Sequence, residues 1–134
     1  MLSTSGYGAA KAYQKLDTES SIEDASPHRL IQLMMERALA KIGIAREQLK
    51  QGLVAERGTS ISDAITIING LQASLNHKAD ERMSENFDAL YAYMMRRLLE
   101  ANLHSDDSML REVGDLLGEI KEAWDAIADE VEGD

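Results

Sequence analysis

Four stretches of the chain place apolar residues three and four positions apart, the spacing that puts them on one side of a helix. The first opens at Ser26-Pro27, a capping side chain followed by a residue whose φ is already helical. It runs to about Gln51 with Leu30, Ile31, Met34, Ala38, Ile42, Ala45 and Leu49 in register. Gly52 interrupts. The second helix ends near Asn76 and turns Ile61, Ala64, Ile65, Ile68, Leu71 and Leu75 to one side. Its start has two solutions: Val54 already belongs to it with Gly58 inside, or Thr59 and Ser60 cap it with Asp63 in the capping-box region. His77 to Glu81 form a polar turn, Asp80 or Ser84 caps the third helix, and Leu103 and His104 close it. Ser105-Asp106-Asp107 then sets a cap and negative charge where a fourth helix begins, as the macrodipole favours. That helix continues to about Val131 with Met109, Leu110, Val113, Leu116, Leu117, Ile120, Trp124 and Ile127 along one side.

The third helix is broader in its apolar surface than the others. Met83, Phe87, Leu90, Tyr91, Met94, Leu98 and Ala101 form the stripe expected to face a core, and Ala92, Met95, Leu99 and Leu103 form a second strip beside it. A helix with one buried face is polar at such positions, so this one is either central in its fold or shaped for a partner. Met94-Met95 and Met34-Met35 suit an adaptable binding groove.

No strand pattern and no internal repeat competes with this reading. The expected fold is all-α, an antiparallel up-and-down four-helix bundle over residues 26–131, with helices about 30–37 Å long at 1.5 Å per residue. Residues 1–25, rich in Ser, Gly, Ala and Thr, form a mobile arm that can lie over the bundle. Residues 132–134 form a frayed acidic tail.

With 134 residues the chain is expected to be one domain with a single core. It has no cysteine, which excludes disulfides, thiolate metal sites and thiol catalysis and fits a reducing cytoplasm. The first residues lack the basic-then-apolar order of a secretory signal, and no apolar run is long enough to span a bilayer. The formal charge is −10, unevenly spread: Pro27 to Ser105 holds 10 basic and 9 acidic residues, Asp106 to Asp134 only 2 basic and 11 acidic. Such a surface repels phosphate backbones and anionic lipid, so nucleic-acid and membrane partners are not expected. It suits a protein that must remain soluble while displaying apolar surface.

Catalytic chemistry finds no foothold. His28, His77 and His104 each lie at a helix end, expected exposed, and Ala25, Ser74 and Ala101 stand where a di-iron Glu-x-x-His motif needs its glutamate. There is no His-Glu-x-x-His, no calcium loop and no glycine-rich phosphate loop after a strand, so no metal, cofactor or catalytic residue is assigned. The acidic positions lie off the apolar stripes, where no burial can shift their pKa for acid/base work. Tyr91 falls on the core stripe and Tyr93 on another side, Trp124 belongs to the core, and Arg96-Arg97 pair most simply with acidic neighbours on adjacent helices.

Several strings, in order and at matching separations, resemble the FliS family of flagellar secretion chaperones. They are Lys11-Ala12-Tyr13, Ala25-Ser26-Pro27-His28-Arg29-Leu30-Ile31, the run Ala64 to Leu71 (AITIINGL), the run Asn86 to Met94 (NFDALYAYM), the run Arg96 to Leu103 (RRLLEANL) and Ala123-Trp124-Asp125-Ala126-Ile127. The chain departs from the usual family pattern at Ala79-Asp80-Glu81, Asp63 and Phe87. The resemblance implies a non-enzymatic cytosolic helical bundle that binds the disordered C-terminal segment of flagellin, prevents its premature polymerisation and delivers it to a gate component of the flagellar type III export apparatus. It also implies that the arm can occupy the groove when cargo is absent, with Tyr13 tied to that role. Helix-in-groove recognition requires long, adaptable apolar furrows between helices. The expected groove residues are Tyr13, Ile61, Ile65, Ile68, Tyr91, Met94, Met95, Leu98, Leu99 and Asn102, some of which must serve the core instead. Tyr13, Leu16 and Ile22 are the expected arm anchors, and the free chain is expected to be a monomer or weak dimer.

Two other classes fit the residues alone. One is a histidine phosphotransfer bundle using His77, although that residue sits where a helix runs out. The other is a structural homodimer whose broad apolar face is its own interface.

Overall fold

The computed structural model describes residues 25–75 and 81–132. Tyr13, Leu16, Ile22 and His77, and with them the arm and the turn before the third helix, lie outside the described residues. The elements are α1 (Pro27–Lys50), α2 (Val54–Ala73), α3 (Glu81–His104) and α4 (Asp107–Glu132), with no strand among the described residues.

Local chemistry sets most of the boundaries. The Ser26 hydroxyl accepts the Arg29 N–H at 3.1 Å and Pro27 stands in the first turn, so α1 starts where side chain and φ agree. It ends on Gly52, whose φ of +73° lets the Gly52 N–H reach the Leu49 carbonyl and the Leu53 N–H the Gln48 carbonyl. That tight reversal feeds Val54 directly into α2 with no side-chain cap, so of the two possible starts the earlier holds and Gly58 lies inside the helix. The end of α3 is similar. Ser105 takes φ +52°, and the Asp106 N–H returns to the Ala101 carbonyl at 3.0 Å. Asp106 then opens α4 by accepting the Ser108 N–H at 2.9 Å, and the Ser108 contacts lower its carboxyl pKa.

Each helix packs on two neighbours, α1 on α2 and α4, α3 on α2 and α4. Cross-helix contacts fix antiparallel registers: Ser60 to Gln48 and Lys41 to Asp63 for α1/α2, Gln32 to Asp125 and Arg46 to Asp107 for α1/α4. Arg57 to Asn102 and Gln72 to Asp88 do the same for α2/α3, and Arg97 to Glu112 joins α3 to α4. The result is the up-and-down four-helix bundle that the periodicity implies.

Because every helix meets two others, its buried arc is wider than one stripe. Met35 and Ile67, off the expected stripes, are fully buried, and Met34-Met35 belong to the core rather than to a groove. Met83, expected in the core stripe, is exposed at the end of the bundle. Side chains closed off this completely each contribute about 1.5–3 kcal/mol relative to exposure. His28 also differs from expectation. It is half-buried, with its ring stacked on Trp124, and its Nε2 has no hydrogen-bond partner among the described residues.

Candidate binding surface

The two flanks of α3 differ in kind. On the α4 side, Tyr93 donates its hydroxyl to Glu112 at 2.5 Å and Arg97 places its Nε 2.8 Å from the same carboxylate. Arg96 and Arg97 each stand 5.9 Å from the Tyr93 ring centre. The Tyr93 hydroxyl first and Arg97 second hold the Glu112 carboxyl below its usual range, and the hydrogen bond to Glu112 in turn pushes the Tyr93 hydroxyl up. That seam is polar and already satisfied. Arg97 takes the acidic partner expected of it, whereas among the described residues Arg96 has no acidic partner and stands over the Tyr93 ring.

On the α2 side the seam is pinned at two points. Arg57, buried in the first turns of α2, donates from Nε to the Asn102 amide oxygen at 2.9 Å, from Nη2 to the Asn102 carbonyl at 3.2 Å and from Nη1 to the Ser105 hydroxyl at 3.2 Å. A guanidinium there meets carbonyls that the end of a helix leaves without partners, and its charge suits the negative end of the α3 dipole. Near the other end, Gln72 donates to the Asp88 carbonyl at 3.1 Å.

Between these pins, antiparallel register sets Ile65 across from Met95, both half-buried against the core. Further out on α3, Leu99 is 60% exposed and Leu103 78%, one helical turn apart along the same line. Val54 on α2 is 62% exposed near the same end of the seam. Gly58 lies between them, and a Cβ there would meet only the Asn102 amide nitrogen at 3.8 Å. Among the described residues the α2–α3 seam is therefore apolar and partly exposed between its pins, whereas the α3–α4 seam is charged.

The sequence-derived groove residues divide accordingly. Ile61, Ile68, Tyr91, Met94 and Leu98 are buried in the core and present no surface to a partner in this structure, because their side of α2 or α3 meets the bundle interior. Burial pushes the Tyr91 hydroxyl up to about 12. Ile65, Met95 and Leu99 line the open seam, and Asn102 is half-buried and engaged with Arg57. Val54 and Leu103, absent from that set, extend it. The second strip of α3 was the signal for Leu103, whereas Val54 stood at a helix start that the pattern left open. Among the described residues no group of acidic, histidine or cysteine side chains could hold a metal ion, and no helix is long and apolar enough to cross a membrane.

The family model for flagellar protein FliS matches residues 9–131. The chain is 42% identical over 120 residues to the flagellar secretion chaperone FliSB of Pseudomonas aeruginosa, covering 90% of this chain and 95% of that one. It is 43% identical over 119 residues to the flagellar secretion chaperone FliS of Salmonella typhimurium, covering 88% of each. The Vibrio cholerae flagellar secretion chaperone FliS is 32% identical over 123 residues, 92% of this chain and 90% of its own.

Proposed function

The chain belongs to the flagellar protein FliS family of flagellar secretion chaperones, and from that membership we propose that its cargo is the C-terminal segment of flagellin, held as an amphipathic helix along the α2–α3 seam. The observation that carries this reading is the pair Leu99 and Leu103, exposed in line on a helix whose other flank is closed by Glu112. Soluble proteins leave large aliphatic side chains in a continuous strip chiefly where a partner covers them. Ile65 and Met95 supply the floor of the site, and the thioether adapts to side chains of differing shape.

Binding a segment that is disordered alone costs ordering entropy, so a long contact is required. Held in this way, the segment is kept from polymerising in the cytoplasm and is passed to a gate component of the flagellar type III export apparatus. No catalytic role is needed for that task. In the absence of cargo the arm covers the seam through Tyr13, Leu16 and Ile22, which lowers apparent affinity by its own docking energy.

Mixing the full chain with a flagellin C-terminal peptide tests this. A gain in helicity and a complex heavier than either component are expected, and Leu99→Ala combined with Leu103→Ser is expected to weaken binding at least ten-fold. No complex with the unaltered chain overturns the proposal. Removing residues 1–24 is expected to raise apolar-dye binding with helicity retained, and an unchanged dye signal removes the role given to the arm.

A further inference from the structure

The reversal from α3 into α4 is a two-residue joint, Ser105 and Asp106, built without glycine or proline. Ser105 holds φ +52°, a left-handed backbone that is unfavourable for any residue carrying a Cβ. The joint between α1 and α2 meets the same demand with Gly52, which has no such penalty. The α3–α4 joint is therefore strained where the α1–α2 joint is not.

A clamp from a third helix opposes that strain. In an uninterrupted helix the Asn102 carbonyl takes the Asp106 N–H, four residues on. Here the Asp106 N–H goes to the Ala101 carbonyl at 3.0 Å, and Arg57 reaches across from α2 to the Asn102 carbonyl at 3.2 Å. The same guanidinium donates to the Asn102 amide oxygen and to the Ser105 hydroxyl. Arg57 is buried, and among the described residues its guanidinium bonds all end on the joint or on the turn before it. Asp106 adds a second support by capping α4 through the Ser108 N–H at 2.9 Å.

We propose that the α3–α4 joint is a domain-swapping hinge latched shut by Arg57. With the latch released, Ser105 returns to right-handed backbone, the Asn102 carbonyl takes the Asp106 N–H, and α3 and α4 run on as one helix. The freed α4 then seats in a second copy of the chain. It packs on α1 and α3, so its contacts with Gln32, Arg46 and Arg97 are remade between the two copies. What differs between monomer and dimer is then the joint itself, and a short connector under strain favours the exchange. The inference is independent of which surface takes cargo.

The full chain tests this, and its lack of cysteine makes two introduced thiols a clean reporter. Gln32 and Asp125 meet far from the joint. Gln32→Cys with Asp125→Cys, bridged by a short bis-maleimide, links within one chain in a monomer and between chains in a swapped dimer. In that background Arg57→Met is expected to raise the dimer association constant about ten-fold or more, measured by sedimentation, with helicity retained and the bridge passing between chains. Adding Ser105→Gly, which relieves the closed joint, is expected to restore the monomer. Ser105→Val keeps the latch but disfavours the left-handed backbone, and is expected to give the same bridge between chains. A folded Arg57→Met that stays monomeric overturns the proposal. So does a dimer whose bridges remain within each chain, since its copies meet by their outer surfaces. Should Arg57→Met fail to fold, Ser105→Val decides, and a monomer there overturns the hinge.

Discussion

The His28 imidazole lies flat on the Trp124 indole, ring centroids 4.3 Å apart and planes within 5°, and the indole N–H donates to the His28 carbonyl at 3.0 Å. This double contact ties the first turn of α1 to the last third of α4. Gln32 reinforces it by donating to Asp125 at 2.5 Å. Trp124→Phe keeps a ring on the imidazole but removes the hydrogen bond, which is expected to cost about 1 kcal/mol. Trp124→Ala removes both and is expected to cost about 2–4 kcal/mol, the upper figure falling below that of a fully buried tryptophan because the ring is partly exposed. Urea denaturation followed by helicity measures the two, and equal losses would show that the stacking contributes nothing.

Gly52 and Gly58 respond in opposite directions to the same substitution. Gly52 holds φ +73° to close α1, a backbone that alanine adopts at a cost of about 1 kcal/mol. Gly58 sits inside α2 with room for a Cβ, so alanine there is expected to stabilise the bundle by about 0.5–1 kcal/mol through helix propensity. Chemical denaturation of Gly52→Ala and Gly58→Ala compares the signs directly.

Periodicity made the four helices legible because each buries a stripe that only a helical spacing brings together, and the Ser26-Pro27 and Asp106 caps marked ends with specific chemistry. The start of α2 was not legible. Val54 enters the helix without a capping side chain, and the deciding event is the left-handed turn at Gly52 rather than any residue in α2 itself. The width of the buried arcs also escaped a single-stripe reading, which is why Met35 and Ile67 turned out to be core. On α3 the surplus of apolar residues was plain, but the division between inside and outside depends on where α2 and α4 stand. Tyr91, Met94 and Leu98 took the interior, and Leu99 and Leu103 were left at the surface. Arg57 carried no signal at all. A lone arginine in a helix reads as solvated until the end of α3 is placed against it.

Leu98 and Leu99 are neighbours in sequence with opposite environments, one fully buried and the other open. Leu98→Ala leaves a cavity and is expected to cost about 2–5 kcal/mol of stability. Leu99→Ala removes surface area only and is expected to change stability by less than about 0.5 kcal/mol. Thermal melts check both, and a peptide titration of the stable variant then reports on binding free of any folding defect.

Acid acts on the bundle through its ion pairs. The Tyr93 hydroxyl and Arg97 depress the Glu112 carboxyl, Arg46 depresses Asp107, and Lys121 with Gln32 depresses Asp125. In each case the folded chain gives up its proton more readily than the unfolded one, so stability rises with pH wherever the unfolded state binds more protons. The contribution is fully present above the unfolded carboxylate values of about 4 and disappears as pH falls through the lower folded values. A urea midpoint that is flat with respect to these groups from pH 7 to about 5 is therefore expected, declining below about pH 4. Glu112→Gln should lower the midpoint at pH 7 and flatten the acid limb, because glutamine keeps hydrogen bonds to Tyr93 and Arg97 but has no proton to gain. These side chains are partly exposed, so solvent screens each pair and the effect of any one is modest. An acid limb of the same slope in Glu112→Gln would place the pH dependence elsewhere and leave the α3–α4 seam held by packing alone.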